Sequence, residues 1–265
     1  MPPSLHTMKP DHSSILLAIP VFNEAASIDR VLQRVSEFAR DVLVVDDGSS
    51  DETPNILATH CVEVIRHAHN RGYGRAMQEI FRRADADRYD WVITMDCDEQ
   101  HEPEQIPDFL RAIDARDADV ISGSRYLIND TRDNAAPESR LHVNMAITQE
   151  LNQRLGLEIT DAFCGFKAYR IAAIRRLACS VDGYDFPLQF WVQAVANGLR
   201  VREIPVRRIY KDLNRTFGGD LDDPERRLRV YRETMHCELH RCRRRLSAVA
   251  TRELPRSIHN DCRCE

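Results

Sequence analysis

Short apolar runs alternate with amphipathic stretches through the first half of the chain. Residues 15–21 (ILLAIPV) are apolar almost without a break, the pattern of a buried strand. Residues 25–40 then place Ile28, Val31, Leu32, Val35 and Phe38 at helical spacing. Residues 42–45 form a second buried run, 62–65 a third and 91–95 a fourth, and Val120 and Ile121 begin a fifth. Between them, 51–59, 72–84 and 103–115 read as helices, the last with Pro103 near its first turn. Strands alternating with helices at this spacing predict an α/β domain, with a mostly parallel central sheet and helices on both faces. The second half is less regular. Residues 141–155 and 186–196 read as helices, 166–169 as a strand and 201–209 as extended. Residues 225–245 read as a long helix with Leu228, Tyr231 and Met235 on one side. Residues 1–14 have no period and read as a disordered leader. The chain thus divides into that leader, an α/β domain over 15–215, a helical extension over 216–250 and a flexible tail over 251–265.

Ligands on such sheets bind beyond the carboxyl ends of the strands. Three polar clusters fall at that edge: Asn23-Glu24, Asp46-Asp47 and Asp96-Cys97-Asp98, each just after a predicted strand. Asp96 and Asp98 are carboxylates one residue apart. Hard cations such as Mg²⁺ take one or two carboxylates plus substrate phosphates, so this pair suits a site where a diphosphate must be neutralised. Gln100 and His101 stand close enough in sequence to complete or support the ligand shell. Asp46-Asp47-Gly48-Ser49 has a bland reading, a turn leading into a helix capped by Ser49 or Ser50, with Asp51 and Glu52 favourable near the helix start. A functional reading adds base and ribose recognition by the two carboxylates. His67, Asn70, Gly72 and Gly74 form a further cluster, where glycines entering a helix let backbone approach a ligand.

Composition narrows the classes. With 37 basic and 42 acidic side chains the formal charge is -5, which gives no general case for a nucleic-acid partner. Arginine is concentrated in residues 226–245. No window approaches the roughly 18 apolar residues of a membrane span. The N-terminus lacks the charged-then-apolar pattern of a signal peptide. Eight cysteines are scattered without a C-x-x-C pair, so free thiols in a reducing cytoplasm are expected. Cys262 and Cys264 read as thiols on a loose tail rather than as a metal site.

Four motifs occur in order: Pro20-Val21-Phe22-Asn23-Glu24; Asp46-Asp47-Gly48-Ser49-Ser50-Asp51-Glu52-Thr53; Asn70-x-Gly72-x-Gly74-x-Ala76; and Asp96-x-Asp98-x-Gln100-His101-x-Pro103. Gly123-Ser124-Arg125-Tyr126 and Asp161-x-x-Cys164-Gly165-Phe166-Lys167 follow, as does Ile204-Pro205-Val206 before basic residues. The set resembles family 2 glycosyltransferases of the GT-A fold, and within them the dolichol-phosphate mannose synthases and related polyprenyl-phosphate glycosyltransferases. The sequence departs from the usual family residues at Phe22, Cys97 and Cys164, while the carboxylates are intact. The Q-x-x-R-W signature of processive polysaccharide synthases is absent, which disfavours polymerisation.

The resemblance implies roles. Pro20, Phe22, Glu24, Asp46 and Asp47 would contact base and ribose. Asp96, Asp98 and Gln100 would bind Mg²⁺ or Mn²⁺ and the diphosphate of a nucleoside diphosphate sugar. Arg125 and Arg140 would face the acceptor phosphate. Val45, Cys97, Lys167 and Arg208 belong with the substrate-binding set. The expected reaction is an inverting sugar transfer to a polyprenyl (dolichyl-type) phosphate. Two alternatives stay open: a saccharide or other hydroxyl acceptor with Asp185 as general base, and a non-catalytic nucleotide-binding protein of the same fold. The 225–245 helix either packs on the domain with a solvated basic face or docks on anionic headgroups at a membrane surface.

Overall fold

The computed structural model describes residues 14–128, 138–209 and 219–254. The expected leader, except Ser14, lies outside the described residues, as do 129–137 and 210–215 of the expected main domain, 216–218 of the extension and 255–265 of the tail, with Cys262 and Cys264.

The apolar runs form a seven-stranded sheet of order β3-β2-β1-β4-β6-β5-β7. The strands are β1 (Ile15–Val21), β2 (Val42–Asp46), β3 (Glu63–Arg66), β4 (Trp91–Thr94), β5 (Val120–Ser124), β6 (Lys167–Arg170) and β7 (Val201–Pro205). All pairings are parallel except those of β6, which runs antiparallel to β4 and β5. The helices are α1 (Ile28–Val35), α2 (Thr53–Leu57), α3 (Tyr73–Ala86), α4 (Ile106–Asp114), α5 (Glu138–Leu155), α6 (Ile171–Ile174), α7 (Phe186–Ala196) and α8 (Pro224–Cys242). One apolar layer joins the sheet to α1, α2 and α4 through Ile28, Val31, Leu57, Ile106 and Phe109. The other joins it to α3, α5, α7 and α8 through Met77, Ile80, Ile147, Trp191 and Met235. The α/β class with helices on both faces is therefore as expected.

Several boundaries differ from the sequence reading for identifiable reasons. The helix expected over 51–59 begins at Thr53, because the Asp51 carboxylate accepts the Thr53 N–H at 2.9 Å and turns the chain before the helix. The extended segment over 201–209 ends its pairing at Pro205, opposite Ser124, where β5 itself ends. The four-residue α6 was not anticipated.

The described part of the expected extension, residues 219–250, packs on the domain through α8. Tyr231, Met235, Leu239 and Cys242 on α8 are buried in the same layer as α3 and α7. Glu150 on α5 accepts from Arg232 at 2.9 Å and His236 at 3.0 Å, and Arg241 pairs with Glu238 at 2.9 Å. The apolar face of α8 is thus packed on the domain, while Arg226, Arg229, Arg232 and Arg241 are exposed and Arg227 is buried. Hydrogen bonds from His236, Arg232 and Arg154 hold the Glu150 carboxyl at about 2, against the opposing effect of its burial. Its contribution is complete above the unfolded carboxyl's range near 4.5 and is lost as the pH falls toward 2. Glu150→Gln is expected to remove about 1–2 kcal/mol near neutral pH and to flatten the acid limb of stability in that window. Denaturant unfolding at a series of pH values checks this, and an unchanged midpoint would contradict it.

Candidate active site

The carboxyl ends of β1, β2 and β4 open into one pocket of about 260 Å³. Its first wall is the Pro20–Glu24 turn. Asn23 takes a left-handed backbone there (φ 55). Neighbouring side chains hold that turn in place. Asn23 N–H donates to Ser49 Oγ at 2.9 Å, Glu24 N–H to Thr53 Oγ1 at 2.8 Å and Ala25 N–H to an Asp51 oxygen at 3.1 Å. In return, Ser50 N–H donates to the Asn23 side-chain oxygen at 2.8 Å. The Ser49–Thr53 segment therefore clamps the adjacent loop rather than capping α2. Pro20, Phe22 and Glu24 line the pocket, and Phe22 is exposed.

The two aspartates after β2 divide their work. Asp46 is fully buried, accepts the Ser49 N–H at 2.8 Å and pairs with Arg66 at 3.1 Å. Val45 is packed in the core. Both were expected among the substrate-binding residues, and neither lines the pocket, because β2 directs them into the protein. Asp47 does line it, but its oxygens are engaged. They accept from His67 Nδ1 at 2.6 Å, Arg71 N–H at 2.8 Å and Gly72 N–H at 2.7 Å. Asp47 thereby fixes the 70–72 loop at the mouth of α3. Gly72, which also lines the pocket, and Gly74, in the first turn of α3, are closely packed. A Cβ on Gly72 (φ 101) would lie 2.3 Å from the Asp182 carbonyl, and one on Gly74 2.2 Å from the Val181 carbonyl.

Asp96, Cys97, Asp98 and Gln100 follow β4 into the pocket. The Asp98 carboxylate accepts the Gln100 N–H at 3.1 Å. His101 is buried and stands behind this loop. Its Nδ1 accepts the Asp96 N–H at 3.1 Å, which leaves Nε2 as the protonated nitrogen, 3.6 Å from Cys164 Sγ. Burial pushes its pKa down to about 4, so the ring is neutral near pH 7. His101 therefore holds the loop by hydrogen bonding. Among the described residues no group of three or more His, Cys, Asp and Glu side chains is arranged to hold a metal ion by itself. Two carboxylates at a pocket wall nonetheless fit a hard cation that takes its remaining ligands from substrate phosphate and water.

The approach to Asp96 depends on Gly165. A Cβ there would come within 2.3 Å of both Asp96 oxygens. Gly165→Ala is expected to push Asp96 aside and to cut turnover by about 10²-fold or more, as ångström-scale misplacement does. Mn²⁺-dependent nucleotide affinity should fall with it. Calorimetry with and without Mn²⁺, beside a thermal melt, checks this, and wild-type affinity would contradict the geometry.

The opposite part of the pocket is cationic and aromatic. Arg125 lines it, held by the buried Asp161 through Nε at 2.7 Å and Nη2 at 3.0 Å. Arg140 and Asn144 contribute from α5, one turn apart. Lys167 is buried, donates to the Cys164 carbonyl and lies 5.5 Å from the Trp191 ring centre. Burial lowers its pKa. Arg227 and Tyr231 enter from α8. Arg208 does not line the pocket and sits over the ring of Tyr126, which does, at 5.6 Å. Asp185 is also outside the lining and accepts from Thr234 Oγ1 on α8 at 2.6 Å. Sequence reasoning missed Tyr73, Asn144, Arg227 and Tyr231. Asn144 was detectable as the residue four positions after Arg140 on one helix face. Arg227 had no signal beyond its place in an arginine-rich run.

The sequence profile of glycosyl transferase family 2 matches residues 17–178, from β1 to just beyond α6. The chain belongs to glycosyl transferase family 2. It is 32% identical over 209 residues to the undecaprenyl-phosphate mannosyltransferase of Micrococcus luteus, covering 75% of this chain and 85% of that protein. It is 32% identical over 219 residues to the polyprenol monophosphomannose synthase of Mycolicibacterium smegmatis, covering 78% and 81%. The crystal structure of glucosyl-3-phosphoglycerate synthase from Mycobacterium tuberculosis, in complex with Mn²⁺, uridine diphosphate and glucosyl-3-phosphoglycerate, shares the fold. Its TM-score is 0.64 at 18% identity, covering 87% of this chain and 80% of that one. The GT-A fold expected from the motifs is the fold observed. In this family 2 glycosyltransferase the matched segment carries Asp96, Asp98, Arg125, Arg140 and Lys167, whereas α7 and α8 lie beyond it.

Proposed function

We propose that this glycosyltransferase moves a sugar from a nucleoside diphosphate sugar to a polyprenyl phosphate, with inversion, and with Mg²⁺ or Mn²⁺ held at Asp96 and Asp98. One observation carries the reading. Arg125, Arg140, Lys167 and Arg227 share a pocket with the Asp96–Asp98 pair, while Asp185 is bound to Thr234 outside it. A hydroxyl acceptor needs a general base within reach. A phosphate monoester is already anionic near neutral pH and needs cations to hold it. The polyprenyl-phosphate chemistry named for the two bacterial relatives supports the same reading.

When bound, the ion supplies Lewis-acid neutralisation of the departing nucleoside diphosphate. The protein supplies position. The clamped Pro20–Glu24 turn and Asp47 shape the nucleoside end. Gln100, His101 and Gly165 fix the two aspartates. Arg125, held by Asp161, and Arg140 orient the acceptor phosphate so that one of its oxygens bonds to the anomeric carbon as the bond to the diphosphate breaks. Tyr73, Phe163 and Trp191 give the pocket apolar sides. A lipid-phosphate acceptor sits at a membrane surface, so peripheral contact there is part of the proposal. Among the described residues no helix is long and apolar enough to cross a membrane.

The test presents a short-chain polyprenyl phosphate and a free sugar alcohol side by side with one donor. Transfer to the phosphate is expected, with Asp185→Asn retaining activity within a few-fold. Loss of a true general base costs about 10²–10⁴ in rate. Transfer only to the sugar alcohol, with Asp185→Asn inactive, would overturn the acceptor assignment and leave the glycosyltransferase standing.

A further inference from the structure

Glu203 lies beyond the family-matched segment and outside the pocket lining, yet two routes of hydrogen bonds join it to lining residues. The strand pattern explains how it is aimed. β7 is the edge strand beside β5, in parallel register with Glu203 opposite Ser122 and Pro205 opposite Ser124. Side chains alternate between the two faces along a strand. Ile204 packs into the layer that holds α4, whereas Val201 packs against the layer that holds α5. Glu203 shares the face of Val201 and so meets residues 160–161, in the segment between α5 and β6.

Its carboxylate takes three donors there. Oε2 accepts the Thr160 N–H and the Thr160 hydroxyl, both at 2.8 Å, and Oε1 accepts the Asp161 N–H at 3.1 Å. Burial raises the Glu203 pKa and the Asp161 charge adds to the rise, while these hydrogen bonds oppose it. The bond to the Asp161 backbone begins the first route. The Asp161 carboxylate holds Arg125 through Nε and Nη2, and Asn144 through its amide, and both of these line the pocket. The second route runs through hydroxyls. Thr160 has one hydroxyl proton and gives it to Glu203, so Ser124 is the donor in the 2.5 Å contact between Ser124 Oγ and Thr160 Oγ1. Ser124 Oγ in turn accepts the Tyr126 N–H at 3.2 Å. The chain from Tyr126 through Ser124 and Thr160 thus points one way and ends on the Glu203 carboxylate. Arg125 is where the routes meet, with its backbone between Ser124 and Tyr126 and its guanidinium on Asp161.

We propose that Glu203 is a positioning residue for the acceptor phosphate: it fixes the 160–161 backbone and the direction of the hydroxyl chain, and thereby the place of Arg125. This rests on the acceptor reading above.

The full chain is compared with its Glu203→Gln, Glu203→Ala and Thr160→Val variants. Glu203→Gln keeps the size of the side chain, but its amide NH2 must face at least one of the same donors. Thr160→Val cuts only the hydroxyl route. Acceptor KM and affinity are measured with farnesyl phosphate, and donor KM and nucleoside diphosphate affinity in Mn²⁺, beside a thermal melt. A displaced Arg125 predicts farnesyl phosphate KM and Kd raised about 10-fold in Glu203→Gln and up to about 100-fold in Glu203→Ala, the scale of ångström-sized misplacement. Thr160→Val should give a smaller rise. Donor KM and nucleoside diphosphate affinity should not change. KM does not depend on the folded fraction, so a purely structural role would lower the melting temperature and leave acceptor KM alone. Wild-type farnesyl phosphate KM and affinity in both Glu203 variants would overturn the assignment and leave the acceptor reading standing, and an equal loss at donor and acceptor would overturn it as well. If wild type transfers only to a free sugar alcohol, the polyprenyl reading falls. An alcohol KM raised by Glu203→Gln, with donor KM unchanged, then keeps Glu203 at the acceptor end, and an unchanged alcohol KM removes it.

Discussion

Asp98→Ala is expected to abolish transfer, by about 10³-fold or more, because it removes one of two carboxylates that would hold the ion neutralising the leaving diphosphate. The fold should survive. Asp98 is partly exposed at the pocket wall, and its carboxylate accepts a local hydrogen bond from the Gln100 N–H. The melting temperature should therefore stay within a few degrees of wild type, while Mn²⁺ no longer strengthens nucleotide binding. Near-normal turnover in Asp98→Ala with Mg²⁺ or Mn²⁺ present would remove the basis for the metal assignment.

Arg125→Ala should damage both activity and stability. Asp161 has no solvent exposure. It accepts from Arg125 at 2.7 and 3.0 Å, from Asn144 at 2.8 Å and from the Phe163 N–H at 3.1 Å. Burial alone would raise its pKa, but the Arg125 charge and these hydrogen bonds outweigh burial and hold it at about 2. Removing Arg125 leaves a buried carboxylate without its cation, at a cost of about 3–5 kcal/mol. Arg125→Met with Asp161→Leu should recover much of that stability without recovering transfer. Unfolding midpoints and acceptor kinetics on the singles and the double check this. A double variant with wild-type transfer would show that Arg125 serves the fold alone.

Which features the sequence disclosed follows from the range of the interactions. The alternation of apolar runs with helical spacing is local, and it led to the parallel part of the sheet and to α1, α3, α4 and α7. The strand order was not accessible, since β6 inserts antiparallel between β4 and β5 through pairings 45 to 79 residues apart in the chain. The metal-type pair Asp96–Asp98 was legible because its chemistry needs adjacent carboxylates at a strand end. Asp46 and Asp47 looked equivalent there. Only the three-dimensional packing shows that one faces Arg66 inside the protein and the other anchors the 70–72 loop. Asp185 was the base candidate for a hydroxyl acceptor. Its partner Thr234 lies 49 residues away, on a helix whose docking no local pattern reveals.

Product analysis decides whether sugar is transferred to a polyprenyl phosphate. The protein is incubated with a nucleoside diphosphate sugar, a short polyprenyl phosphate and Mn²⁺, and the lipid is examined by mass spectrometry with and without excess EDTA. The expected product is a polyprenyl phosphate heavier by one sugar residue, formed with an equal amount of released nucleoside diphosphate and absent when the ion is chelated. An unmodified lipid with every donor tested, or a product formed equally well in EDTA, would contradict it.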